Sequence, residues 1–549
     1  MRSALVVSGG GFQGQALVDM LACVDGVRTI VADLYAENIN RHRCAGFVQV
    51  PPLADADGFA AALVAAINHH GVGHVFPATE RELLPLSRLQ AGLAASGVDV
   101  AVCDTGLLEA LLDKERAGRL LADAGLPVQQ PVAPAGHDFA TPLFGKPRRG
   151  WGGHGTLVLR DAAGLASLAA SGADSGYVWL PFVESFVEYS GDFCIRRDGA
   201  ISPLTVRRRE RTSGGYSIIS VSERPEAVIG ILEATTRLLR ERGGRGLFNV
   251  QVIVPEGGQP FVSDVNPRVG TSAVHALLEG NNLAGFYIEP ASPRPAPLAP
   301  VRSIRFLATA AIPVLEQRPR GLVLDLDDTL LDHKLWVASK LGLAIDAVAS
   351  AWDDPETIHE VALRLIDEGE RAALIDRLAA HFDWEESRRL QLLEAYRAAT
   401  PAQAPLYPDV EPTLTALHQA GVRLALLTDN PVPGQRAKIA ASPLLSSITT
   451  PVFSRLAGGE KPRLAAFQAA AAALDLPCSS LCMVGDNYFR DIVGACRAGF
   501  AHAFLLQRGG GFIQSHPALR RQLGLGLDEG KVHVVDNLYL VRSAILGQQ

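Results

Sequence analysis

The chain has 549 residues, too many for one ordinary hydrophobic core and enough for three or four folding units. A formal net charge of −7 and a pI near 6.1 argue against a nucleic-acid surface. No run approaches the roughly eighteen consecutive apolar residues of a membrane span, and the seven scattered cysteines fit reduced thiols in a cytoplasmic protein. Cys478 and Cys482 stand four apart, but no second Cys/His pair completes a zinc site, so buried thiols are expected. Only seven lysines stand among the 51 basic residues, which gives weight to Lys114, Lys146 and Lys461 as positions needing a compact ammonium.

The opening stretch, MRSALVVSGGGFQGQALVDML, is interrupted by a glycine cluster and by Asp19. It reads as strand, Gly-rich turn and amphipathic helix rather than a secretory leader. TIVADL, HVFPATE and VDVAVCD are further short strands with Ala/Leu helices between them. Residues 1–103 therefore predict a parallel α/β unit of Rossmann type. Gly9, Gly11 and Gly14 form a GxGxxG match that a tight turn explains without any dinucleotide. From Thr105, LLEALLDKERAGRLLADAGLPVQQ predicts a helix running into an extended segment, and strand-rich sequence continues to about residue 285. EAVIGILEATTRLLRERGG is a helix within it. EPASPRPAPLAP, residues 289–300, is Pro-rich and extended, and VRSIRFLATAAIPV predicts a closing strand. RRRERTSGGYS, residues 207–217, reads as a cationic loop, either solvated or holding an anionic substrate through Arg207, Arg208 or Arg211.

Four segments of this half fall in a recognisable order: LLDK with Lys114, FGKPRRGWGGHG with Lys146, VWLPFVESFVEYSGD with Glu188, and GLFNVQVIVPEGGQPFVSDVNPRVGTS. They resemble the ATP-grasp ligases, in the branch of carbamoyl-phosphate-synthetase-like and amino-acid-ligase domains, over roughly residues 1–315. The resemblance implies a Rossmann-like pre-ATP-grasp domain at 1–103 and an α+β ATP-grasp domain at 104–315. It implies that Lys114 and Lys146 meet the ATP phosphates under a flap containing Gly152 and Gly153, flanked by Gly150 and Gly155. The Pro181 carbonyl and Val183 amide would take the adenine edge, and Glu188 the ribose. Gln251, Asp264 and Asn266 would hold Mg²⁺, with Mn²⁺ as a substitute, and Arg268 would steady the transferred phosphoryl group. Two positions depart from the family pattern: Leu180 replaces a common acid at the hinge, and Asp264 stands where Glu is usual. The implied reaction activates a carboxylate as an acyl phosphate and joins it to an amine. The alternative is an ATP-grasp half that only binds nucleotide and regulates the C-terminal half.

That second half opens on GLVLDLDDTLLDHK, an apolar run ending in Asp325, Asp327 and Asp328. Carboxylates crowded this closely are tolerated around a divalent cation or when one keeps its proton. Helix N-capping is the plainer reading. RLALLTDN with Thr428, GGEKP with Lys461, and CMVGDNYFRDIVGA with Asp486 and Asp491 then complete four motifs in order. Together they resemble haloacid-dehalogenase-like phosphatases, over about residues 318–549. The resemblance implies a Rossmannoid α/β domain with a helical cap at about 333–404. It casts Asp325 as nucleophile, Asp327 as acid and base, and Thr428 and Lys461 as phosphoryl ligands. Asp325, the Asp327 backbone carbonyl, Asp486 and Asp491 would form the Mg²⁺ site. The expected partners are thus a small carboxylate, an amine and a phosphorylated metabolite, with neither nucleic acid nor membrane, and a homodimer is compatible with this reading.

Overall fold

The structure is a computed structural model, and it describes residues 2–150, 155–170, 176–213, 216–289, 300–305, 312–348, 354–370, 373–509 and 530–547. The chain divides into two compact units, Met1–Ala310 and Ala311–Gln549.

The first unit begins with five parallel strands, β1 (Arg2–Val7), β2 (Val27–Asp33), β3 (Gly46–Gln49), β4 (Val72–Pro77) and β5 (Asp99–Val100), in the order β3-β2-β1-β4-β5. β1 is buried from Ser3 onward, as a strand covered on both faces must be. The turn after it admits nothing larger than glycine at Gly14, where a Cβ would lie 2.0 Å from the Gly9 carbonyl oxygen. Asp33, at the end of β2, braces that turn. Its carboxylate accepts from the Gly10 N–H at 2.7 Å and from the Tyr35 N–H at 2.9 Å.

The expected single helix after Thr105 is two, Thr105–Leu111 and Lys114–Asp123. Asp113 breaks it by capping the second, accepting from the N–H groups of Glu115 and Arg116, while Arg148 holds the same carboxylate at 2.8 Å. A three-stranded antiparallel sheet comes next, β6 (Leu143–Pro147), β7 (Leu157–Leu159) and β8 (Tyr177–Pro181), ordered β7-β6-β8. A six-stranded sheet completes the unit: β9 (Phe186–Ile195), β10 (Thr205–Ser213), β11 (Tyr216–Ser222), β12 (Gly246–Pro255), β13 (Phe261–Asn266) and β14 (Arg302–Ile304), ordered β13-β12-β9-β10-β11-β14. One buried cluster joins Leu5 and Val7 of the parallel sheet to Phe193 and Phe248 of the antiparallel one.

The second unit holds a parallel sheet of β15 (Gly321–Leu324), β16 (Arg423–Thr428), β17 (Thr450–Phe453), β18 (Leu481–Gly485), β19 (His502–Leu506) and β20 (Val532–Val535), ordered β17-β16-β15-β18-β19-β20. Of the helices described between β15 and β16, Val410–Gln419 packs in the core of the parallel sheet, and four precede it, His333–Val348, Pro355–Asp367, Leu374–His381 and Glu386–Ala398. These four share a second core that includes Leu341, Ile345, Leu378 and Leu392. Among the described residues no helix is long and apolar enough to cross a membrane.

Candidate active sites

In the first unit the facing strands β12 and β13 bring the polar residues together. Antiparallel pairing sets Gln251 opposite Asp264 and Asn249 opposite Asn266. Side chains on one sheet face recur every second residue, so Gln251 and Asn249, like Asp264 and Asn266, share a face. These four line a cleft of about 310 Å³ with Lys114, Lys146, Glu188, Arg209 and Arg268. Gly150 also lines it, while Gly152 and Gly153 lie outside the described residues.

The cleft's cations are tied down. Lys114 Nζ donates to the Gly150 carbonyl at 2.6 Å, and Lys146 Nζ to the Ser263 carbonyl at 3.1 Å. Burial lowers the Lys146 ammonium's proton affinity, and Lys114 adds to that, while Asp264 and Glu188 oppose it. An anionic ligand in the cleft would raise that affinity again. Arg268 donates to Asn266 Oδ1 and to the Val269 carbonyl, each at 3.0 Å, and reaches Glu80 at 3.4 Å.

Several expectations change here. Residues 207–213 belong to β10 rather than to a loop. Arg207 is buried and paired with Asp192 at 2.9 Å, and Arg208 pairs with Glu223. The arginine that reaches the cleft is Arg209, ion-paired with Glu188. Strand alternation separates Arg207 and Arg209 from Arg208, a signal that was present in the sequence. The Pro181 carbonyl accepts from Gln129 Nε2 at 2.9 Å. Neither Pro181 nor Val183 lines the cleft. Gln129 and Leu180 instead line a smaller pocket of about 60 Å³, which also touches Lys114, Lys146 and Asp264.

In the second unit the side chains gather at the C-terminal ends of β15, β16 and β18, where parallel α/β sheets place their ligands. Asp325, Asp327, Thr428, Lys461, Asp486 and Asp491 all line one pocket of about 40 Å³. Lys461 Nζ lies 2.5 Å from Asp325 Oδ1 and 2.6 Å from Asp491 Oδ1. Asp325, Asp486 and Asp491 each offer an oxygen within 4.8 Å of the others. Burial, and then repulsion among these acids, pushes the Asp325 carboxyl up to about 7 and the Asp486 carboxyl up to about 9. Lys461 is the cation among them, and burial is outweighed by its acids, so its affinity for its proton is raised. Fully ionised, the three carboxyls would outnumber the one ammonium, which is why Asp325 and Asp486 hold protons without a metal, and hard oxygens at this spacing fit a divalent cation.

The loop after β15 is shaped for this. Asp328 adopts φ +60°, a left-handed conformation that aspartate tolerates better than most residues. Thr329 Oγ1 ties the loop across, accepting from the Asp486 N–H at 3.1 Å and lying 3.4 Å from Asp325 Oδ2. The carboxylate of Asp327 is turned to other partners than the acid cluster: Asn430 Nδ2 at 2.5 Å, Gln435 Nε2 at 2.8 Å and Lys438 Nζ at 2.5 Å. Burial alone would raise its pKa, but Lys438 and His333 bring it well below the usual carboxylate range. Gln435 and Lys438 lie three apart on the helix Val432–Ala440 and went unread in the sequence, although Lys438 is one of only seven lysines. Asp429 also went unread. It accepts from Ser454 Oγ at 2.7 Å and from the Lys461 N–H at 2.9 Å, and so positions the lysine's backbone.

Comparison with known proteins places the second unit. Residues 319–499 match the family model described as haloacid dehalogenase-like hydrolase. The chain is 27% identical over 201 residues to phosphoglycolate phosphatase of Aliivibrio fischeri, covering 34% of this chain and 84% of that protein. It is 31% identical over 169 residues to enolase-phosphatase E1 of Frankia alni, covering 29% of this chain and 71% of that protein. Among solved structures it is similar to ADP-complexed N5-carboxyaminoimidazole synthetase from Staphylococcus aureus, with TM-score 0.45 and 14% identity, covering 56% of this chain and 82% of that one. It is also similar to L-amino acid ligase from Bacillus licheniformis, with TM-score 0.42 and 15% identity, covering 52% and 73%. Through its second unit the chain belongs to the haloacid dehalogenase-like hydrolase family.

Proposed function

We propose that the chain is bifunctional: a metal-dependent phosphomonoester phosphatase in its second unit and an ATP-dependent carboxylate–amine ligase in its first. The observation that carries the phosphatase reading is the bridging of Asp325 and Asp491 by Lys461, beside an acid cluster fit for a divalent cation. Mg²⁺ held by Asp325, Asp486, Asp491 and the Asp327 backbone carbonyl would neutralise charge on the transferring phosphoryl group, and Mn²⁺ has the same oxygen preference.

Asp325 attacks phosphorus in this reading, and an aspartyl phosphate forms as the ester oxygen departs. Thr428 and Lys461 hold the phosphoryl oxygens. Asp327, ionised against Lys438 in the substrate-free protein, would take up a proton as substrate displaces that contact, pass it to the leaving oxygen and then take one from the attacking water. The four helices from His333 to Ala398 cap the site and select the leaving group. Its substrate class is a small phosphorylated metabolite, the kind of molecule named in its relatives.

The ligase reading is carried by the convergence of Lys114, Lys146, Glu188, Gln251, Asp264, Asn266 and Arg268 on one cleft. The two lysines would meet the ATP phosphates, and Asp264 with Gln251 and Asn266 offers hard oxygens to Mg²⁺. Arg268 would steady the acyl phosphate. Glu188 would bind the ribose by exchanging its Arg209 contact for a hydroxyl. Adenine would take the Pro181 carbonyl in place of Gln129, with the Val183 amide beside it.

Two assays test this on one preparation: hydrolysis of p-nitrophenyl phosphate with Mg²⁺, and ADP release from MgATP across a panel of carboxylate–amine pairs. Phosphatase turnover together with ADP release that requires both pair members supports the reading. ATP binding with no such release across the panel favours the regulatory nucleotide module, and absence of ester hydrolysis removes the phosphatase assignment.

A further inference from the structure

The acid cluster of the second unit does not use every cation near it. Asp327 directs its carboxylate to Lys438, a buried residue on the helix Val432–Ala440. Lys340 stands close to that lysine, on the first cap helix, His333–Val348. His333 and Lys340 are seven apart, so they share a helix face, with buried Trp336 and Val337 between them. Where that face begins, His333 Nδ1 lies 3.9 Å from Asp327 Oδ2. Two turns on, the Lys340 ammonium lies 4.9 Å from the centre of the Tyr396 ring, on the fourth cap helix.

Lys340 and Lys438 are two of only seven lysines in the chain, and their like charges repel. Burial, and then the Lys438 charge, lower the affinity of Lys340 for its proton. Among the described residues, the one carboxylate ion-paired with either lysine is Asp327, through Lys438. With the His333 imidazole neutral, two ammoniums against one carboxylate leave a single positive charge. A carboxylate balances that charge, whereas a phosphate, at about two negative charges, overshoots it.

Asp325 receives the phosphoryl group and Asp327 stands at the leaving oxygen, so the rest of the leaving group extends past Asp327 toward the two lysines. We propose that the ester cleaved at this site carries a carboxylate on its leaving group, held by Lys340 and Lys438 beneath the cap. That carboxylate meets Lys438 in place of Asp327. Lys340 thereby selects the substrate and takes no part in the phosphoryl transfer. The proposal rests on the phosphatase reading above and names the class of its substrate.

The test is steady-state hydrolysis by the full chain, with Mg²⁺, of esters matched in length that differ by a carboxylate in place of a hydroxymethyl group. The pairs are 3-phosphoglycerate against glycerol 3-phosphate, and 4-phosphoerythronate against erythritol 4-phosphate. In at least one pair the carboxylate ester is expected to have the higher kcat/KM, by about 10-fold or more. Lys340→Met, of similar length without the charge, brings that ratio to within about twofold of unity, chiefly by raising KM for the carboxylate ester. Lys340→Arg retains the preference, and Lys340→Gln takes the place of Lys340→Met if that variant does not fold. Equal kcat/KM within both pairs overturns the proposal. So does a preference that survives loss of the Lys340 charge, the outcome for a lysine that only packs on Tyr396. Faster hydrolysis of glycerol 1,3-bisphosphate than of either carboxylate ester overturns it as well. Absence of hydrolysis of every ester, p-nitrophenyl phosphate included, removes the phosphatase reading instead, so the two failures are told apart.

Discussion

The ammonium of Lys461 lies 2.5 Å from the carboxylate of Asp325, a residue 136 positions earlier, and it bridges from there to Asp491. All three side chains are buried. A buried ion pair is held by its partners, and removing one partner is costly, roughly 3–5 kcal/mol, because the other charge is left uncompensated. Lys461→Met should therefore destabilise the metal-free chain by about that amount and abolish hydrolysis of p-nitrophenyl phosphate. Urea unfolding followed by circular dichroism with EDTA present measures the first effect. A variant as stable as wild type would show that the acids do not depend on Lys461.

The acid cluster makes stability depend on pH and on metal together. The Asp325 and Asp486 carboxyls are raised to about 7 and about 9, so the folded state binds more protons than the unfolded state across that range. The slope of stability with pH is then negative, and metal-free protein loses stability as pH rises from roughly 4 toward 9. A divalent cation binds the ionised acids, so the rise in melting temperature on adding Mg²⁺ should grow between pH 5 and pH 8. Thermal scans with EDTA and with excess Mg²⁺ check this, and an Mg²⁺ increment that shrinks with pH would contradict it.

Asp327 behaves in the opposite sense. Its folded pKa is depressed, chiefly through Lys438 against the effect of burial, so its ion pair stabilises the protein above the ordinary carboxylate range and that contribution is lost as pH falls. Lys438→Met should lower stability at pH 7 and flatten the acid limb of the stability curve. Urea midpoints at pH 7 and at about pH 2 report both, because the contribution is lost only as pH falls below the ordinary carboxylate range, and equal losses at the two pH values would detach the effect from Asp327.

In the first unit, Lys146→Ala removes a buried ammonium from the cleft, and Asp264→Asn removes its strand-end carboxylate. Each should weaken MgATP binding by about 10-fold or more while ester hydrolysis by the second unit continues. Calorimetric titration with a non-hydrolysable ATP analogue measures this. Wild-type affinity in both variants would place the nucleotide elsewhere.

The second site was the more legible in the sequence because its residues sit at the ends of apolar strands, where a few neighbouring positions carry the signal: Asp325 and Asp327 after β15, Thr428 at the end of β16, Asp486 after β18. Lys438 and Gln435 were not legible. Their contact with Asp327 depends on how the helix Val432–Ala440 turns against the loop after β15, a tertiary relationship between residues more than a hundred positions apart. Periodicity could have separated Arg208 from Arg207 and Arg209, but reading the segment as a loop discarded it. Whether a strand arginine meets Asp192 or Glu188 is set by β9, whose register only pairing reveals. The break before Lys114 was not read, because the apolar pattern continues through it, and only the capping role of Asp113 explains it.

The central claim, two chemically independent sites in one chain, is tested most directly by crossing two variants with two readouts. Asp325→Asn, Asp264→Asn and wild type would each be measured for p-nitrophenyl phosphate turnover and for binding of the ATP analogue. The account predicts that Asp325→Asn loses hydrolysis by about 1,000-fold or more with ATP-analogue affinity unchanged. Asp264→Asn should show the reverse: weakened nucleotide binding with wild-type hydrolysis. If Asp325→Asn hydrolysed the ester at the wild-type rate, or if either variant lost both properties while still folded, the two-site account would be contradicted.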